Sequence, residues 1–247
     1  MYRPRIIPVL LLKNRGLVKT VAFDKPNYIG DPINAVHIFN DLHADELVFL
    51  DTEATREKRL ISLEFVKDVG EEANMPFAVG GGISTIEDIR KVIAAGAEKV
   101  VICSAAANHP EFIREAADEF GSSTITVCID VKKKFLGGTK IWTHSGSKAT
   151  SYTPVEFARL MEEKGAGEII IQSIERDGSM NGYDIDLIRS IAEAVKIPVI
   201  ALGGAGSTED LKKAYHEAYA NGLAAGSLFV YNDKHKGVLI NYPESLF

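Results

Sequence analysis

Apolar and polar positions fall along this chain in blocks. Eight short runs are apolar almost throughout: Arg5 to Leu12, Glu46 to Leu50, Pro76 to Val79, Lys99 to Cys103, Thr124 to Val131, Glu168 to Gln172, Val199 to Leu202 and Leu223 to Ala225. Uninterrupted runs of this length predict strands buried on both faces, as in a parallel sheet. Between them, apolar residues recur every three or four positions, which predicts helices. These are expected from Asp31-Pro32 to about Leu42, Arg56 to Glu72, Ser84 to Ala95, Pro110 to Phe120, Thr153-Pro154 to Lys164, Tyr183 to Val195, and Ser207 to Tyr219. Asp31 and Thr153 each stand before a proline, the order that opens a helix. Lys13 to Gly30 and Lys132 to Ser151 read as long polar connections. The second is expected to hold a small hairpin around Gly137-Gly138, with Lys140 to Thr143 as one arm.

Eight strands alternating with helices predict an α/β fold, a (β/α)8 TIM barrel. The two halves of the chain also match. Ile6 to Lys13 resembles Ile125 to Lys132, and Ala44 to Leu50 resembles Ala166 to Gln172. Two glycine runs correspond as well, Val79-Gly80-Gly81-Gly82 and Leu202-Gly203-Gly204-Ala205-Gly206. The offset stays near about 120 residues, the mark of a duplicated half-barrel. One domain is expected over residues 1–247, with half-barrels at about 1–122 and 123–247.

Length and composition fit that picture. At 247 residues with 46% hydrophobic residues, the chain can fill one large barrel. A net charge of −6 argues against a nucleic-acid surface. No apolar run reaches membrane length, and residues 1–5 open no secretory signal of the usual kind. Cys103 and Cys128 lie in strand-like runs and read as buried free thiols of a reducing cytoplasm. Cysteine and histidine nowhere take metal-ligand spacing, so neither metal nor cofactor is expected.

In such barrels the chemistry sits at the C-terminal strand ends. Asp130, late in an apolar strand, is the expected acid–base carboxylate. Asp51 ends another strand, where it can either serve the site or cap the following loop. Each glycine run follows a strand and precedes a helix start, an arrangement suited to phosphate. At the opposite ends, Arg5, Glu46, Lys99 and Glu168 each open a strand. Two cations and two anions around one barrel end can pair into a ring that gates the floor.

These residues resemble the HisF family, the cyclase subunit of imidazole glycerol phosphate synthase. The resemblance spans nearly the whole chain. It rests on RIIPVL, the Gly30 to Pro32 GDP, ADELVFLD, VGGGI, IDVK, SIERDGSMNGYD and GGAG. It implies a glutaminase partner on the N-terminal face and ammonia passing through the barrel beside Arg5, Glu46, Lys99 and Glu168. It also implies a nucleotide substrate with two phosphates, held at Gly82 and Ser104 in one half and Gly204 and Ser227 in the other. Lys19, Asp51 and Asp177 complete the implied substrate-binding set. The family uses two aspartates, one late in strand 1 and one late in strand 5.

Here the sequence departs from that pattern. The strand 5 position is Asp130, but the strand 1 position is Leu11, which cannot transfer a proton. Asn14-Arg15-Gly16 stands where the family usually has Asp-Gly-Arg, and Phe229 to Phe247 replaces the usual last helix. Leu11 and that tail together resemble a divergent branch found beside glutaminases and N-acetyl-sugar amidotransferases, associated with amidination of surface-polysaccharide sugars. Three functions stay open: a synthase subunit serving sugar amidination, an ordinary cyclase using Asp51 or Asp177 instead, and a non-catalytic scaffold that activates a glutaminase.

Overall fold

In the computed structural model, the described residues are 3–133, 138–232, 237–243 and 246. Eight parallel strands form the barrel: β1 (Arg5–Lys13), β2 (Leu47–Asp51), β3 (Phe77–Gly80), β4 (Lys99–Ile102), β5 (Ile125–Lys133), β6 (Glu168–Ser173), β7 (Val199–Leu202) and β8 (Gly222–Ala225). Each pairs with the next, and Arg5 of β1 lies opposite Gly222 of β8, so the sheet closes on itself. This is the (β/α)8 barrel that the sequence predicts.

The two-residue period of each strand sorts its side chains. Ile7, Val9, Val48, Val101, Ile170 and Ile200 point inward and fill the barrel. Ile6, Leu10, Phe49, Phe77, Val127 and Ile129 point outward against the helices. Helices Pro32–Asp41, Leu63–Glu72, Ile86–Ala94, Glu111–Phe120, Pro154–Glu163, Ile185–Ala192 and Thr208–Ala218 cover the outside. Thr85, Thr153 and Ser207 each form a capping box with the acidic residue three positions on.

Several expected elements differ. Lys13 to Gly30 is not an irregular connection. Strands Gly16–Val21 and Asp24–Gly30 form an antiparallel hairpin that extends β1. The helix expected from Arg56 begins only at Leu63, where the Ser62 side chain caps it. Residues 52–58 are turns because the Asp51 carboxylate accepts the Glu53 and Ala54 amides. The helix expected over Tyr183 to Val195 is trimmed to Ile185–Ala192 by an Asp184 cap. Thr139–Thr143 does form a hairpin arm against β5. Gly137, at its expected tip, lies outside the described residues.

Ser227–Val230 is a short helix, and no helix follows it among the described residues. Residues 233–236, 244, 245 and 247 of the expected divergent tail lie outside them. Tyr242 packs on Phe229 with ring centroids 5.8 Å apart. Its hydroxyl donates to the Ile6 carbonyl (3.0 Å) and accepts the Asp45 amide (3.0 Å). No helix among the described residues is long and apolar enough to cross a membrane.

Candidate active site at the barrel mouth

Strand phase decides which side chains reach the mouth. Leu11 follows the inward Ile7 and Val9, and Asp130 follows the inward Thr126 and Cys128, so both face the axis. A cavity of about 710 Å³ opens there. It brings together six of the expected site residues: Leu11, Asp51, Gly82, Ser104, Asp130 and Asp177.

Asp130 is 8% exposed. Its two oxygens accept the Cys103 thiol (3.4 Å) and the Cys128 thiol (3.6 Å). Burial pushes its pKa up to about 6, the two thiols oppose that rise, and Asp177 adds to it. A carboxyl group in this range can exchange a proton near neutrality. Burial and Asp130 push both thiols well up, so they act as proton donors to the carboxylate rather than as thiolates. Both cysteines are free, as expected, but their place on Asp130 was missed. The signal lies in the register: Ile102 pairs with Val127, so Cys103 and Cys128 are the next neighbours along β4 and β5.

Asp51 is committed to structure. Besides the two loop amides it holds Arg59, whose Nη1 lies 2.6 Å from Oδ2. Arg59 borders the cavity and was not anticipated. Gly82 has φ +70°, and any Cβ there would overlap the Arg59 carbonyl. The amides after each glycine run are less available than expected. Asp88 takes those of Ser84 and Thr85, and Asp210 takes those of Gly206 and Ser207. Ser104 Oγ accepts the His144 amide (3.0 Å). Asp177 accepts the Thr20 hydroxyl (2.7 Å) and the Phe23 amide (3.3 Å), and its pKa is raised by burial despite Lys19.

Lys19, Gly204 and Ser227 do not border this cavity. Lys19 is buried, donates to the Val9 carbonyl (2.7 Å), and lies against Gly226, where a Cβ would overlap its ammonium. Burial lowers its pKa to about 8, with Asp177 opposing. Gly204 has φ +113° and is held under the Gly182 carbonyl.

At the other end of the strands, four charges alternate around a ring. Arg5 bonds Glu46, and its Nη2 lies 2.5 Å from Glu168. Lys99 Nζ lies 3.1 Å from Glu46 and 3.0 Å from Glu168. The Thr126 hydroxyl adds a bond to Glu168 (2.9 Å). Burial works against the Glu168 anion, but Arg5 and Lys99 outweigh it and lower its pKa. Among the described residues, no group of three or more His, Cys, Asp or Glu side chains could hold a metal.

Fold and cavity together define a (β/α)8-barrel protein with its chemical groups at the C-terminal mouth. The chain belongs to the histidine biosynthesis protein family, which it matches over residues 5–236, and within it to the HisF group. It is 46% identical over 244 residues to a Pseudomonas aeruginosa protein with the provisional name imidazole glycerol phosphate synthase subunit hisF2. That match covers 99% of this chain and 97% of the relative. A Leptospira borgpetersenii protein, also provisionally named as the HisF subunit, is 44% identical over 98% of this chain and 96% of its own. The imidazole glycerol phosphate synthase subunit HisF of Alkaliphilus metalliredigens is 42% identical over 94% of this chain and 92% of its own.

Proposed function

We propose that this barrel is the ammonia-using synthase subunit of a glutamine amidotransferase complex, with a glutaminase docked beneath its floor. Ammonia enters past Arg5, Glu46, Lys99 and Glu168 and travels the apolar interior to a phosphorylated substrate at the mouth. Gly82 and Ser104 lie at the cavity and hold one phosphate there. Gly204 and Ser227 serve the far phosphate, with the Lys19 ammonium beside Gly226 as its counter-charge.

The observation that carries this reading is a mouth with one proton-transfer carboxylate, Asp130, where Leu11 offers only methyl groups. Acid–base cyclisation by paired carboxylates loses one of its members, so the ordinary histidine-pathway cyclase reaction is severely impaired. Ammonia delivery does not depend on position 11. The resemblance of Leu11 and the tail to the divergent branch implies as its acceptor a sugar of bacterial surface polysaccharide, amidinated together with an N-acetyl-sugar amidotransferase. Free thiols at Cys103 and Cys128 fit a cytoplasmic setting.

The test mixes the chain with its glutaminase, glutamine and the bisphosphorylated ribulosyl aminoimidazole carboxamide nucleotide. Wild type turns over poorly, and Leu11→Asp raises turnover about 100-fold, the scale of one positioned acid–base group. Robust wild-type turnover would refute the assignment and favour the ordinary cyclase, as the names of the relatives do.

A further inference from the structure

We propose that His144 is the second proton-transfer group of this mouth, acting through Nε2 as a base beside Asp130. The proposal rests on the substrate site assigned above and adds a base on another element, without replacing the aspartate missing at Leu11.

His144 sits in the turn between strand Thr139–Thr143 and strand Lys148–Ala149, and it borders the same cavity as Leu11 and Asp130. Three contacts fix this turn across the mouth. The His144 amide donates to Ser104 after β4 (3.0 Å), and the Ser145 hydroxyl donates to the Thr52 carbonyl after β2 (3.1 Å). Gly146 lies against Ile174 after β6 and Phe23 of the β1 hairpin. His144 and Ser145 both hold left-handed backbones, φ +54° and +55°, which branched or bulky side chains rarely adopt. Left-handed residues of this kind close hairpin turns, as Asn14-Arg15 and Ala22-Phe23 also do.

The hydrogen-bond network assigns the tautomer. The Thr143 hydroxyl is buried and donates its one proton to the Lys148 carbonyl (3.3 Å). With its proton on that carbonyl it accepts from His144 Nδ1, 3.0 Å away, which places the ring proton on Nδ1, the assignment that the NMR experiment below tests. Nε2 keeps its lone pair and has no partner among the described residues. Other acids at this mouth are engaged: Asp51 by Arg59, Asp177 by Thr20 and Phe23, and Glu53 by Lys13. In the reaction, Nε2 takes a proton from the substrate to give imidazolium and returns it to solvent, while protonated Asp130 supplies the opposite transfer.

Two measurements test this. Long-range proton–nitrogen NMR on histidine-labelled full-length chain should show the neutral ring of His144 protonated at Nδ1 and bare at Nε2. A ring protonated at Nε2 overturns the proposal whatever the substrate. The second uses His144→Asn, which keeps a donor for Thr143 but has no Nε2. With ammonium salt and the ribulosyl nucleotide, kcat should fall about 100-fold at unchanged KM, and free imidazole should restore part of it. Unchanged kcat, or loss without imidazole rescue, overturns the catalytic role. If wild type consumes no nucleotide even with ammonium, the sugar assignment above stands, and the tautomer result alone decides for or against His144.

Discussion

Asp130 holds its proton to about pH 6, whereas an exposed aspartate releases it near 3.8. The folded chain therefore binds that proton more tightly than the unfolded chain does. Stability falls as pH rises from about 4 to about 6, and the whole cost remains above pH 6. Asp130→Asn removes this cost. Its denaturant midpoint should exceed that of wild type at pH 7.5, by about 3 kcal/mol at most, with no gain near pH 4. Equal midpoints at both pH values would mean the carboxyl is not desolvated. Asp130 was legible in the sequence because an acid late in an apolar run has a definite phase in a barrel strand. Its thiol donors were not, because Cys103 lies on a neighbouring strand and only cross-strand register brings it there. Arg59 was hidden for a related reason: its guanidinium returns to Asp51 from a turn that helical spacing had assigned to a helix.

Helix starts were the most readable elements, since a cap is written in adjacent residues. Thr153 and Glu156 bond each other's amides ahead of helix Pro154–Glu163. Thr153→Ala should cost about 1 kcal/mol, read as a lower denaturant midpoint. A change below a few tenths would mean that water replaces the hydroxyl. The β1 hairpin was not readable. Its two-residue turns are Asn14-Arg15 and Ala22-Phe23, all with positive φ, and neither contains the glycine that usually announces such a turn. Its first strand also buries Leu17, Val18, Lys19 and Thr20 consecutively, so no alternation marks it.

Across the whole molecule, the two halves match each other in sequence at an offset of about 120 residues. The site does not share that symmetry. The cavity reaches Gly82 and Ser104 of one half, but Lys19 from the hairpin lies against Gly226 in the other. A repeat in sequence cannot show which copy an inserted hairpin covers. Closure between the first strands depends partly on the tail, where the Tyr242 hydroxyl joins Ile6 to Asp45. Tyr242→Phe leaves that amide and carbonyl without a partner, a loss of about 1–2 kcal/mol. The melting temperature should drop by about 2–8 °C. An unchanged melting curve would show that the tail adds nothing to closure.

On the proposed ammonia route, the pairing within the floor ring bears on what can cross it. Each of the four carboxylate oxygens of Glu46 and Glu168 already faces a guanidinium or an ammonium. An arriving cation finds no vacant oxygen, and an arriving anion finds both Arg5 and Lys99 already paired. On the proposed route, the species that crosses therefore arrives as neutral ammonia, without its extra proton.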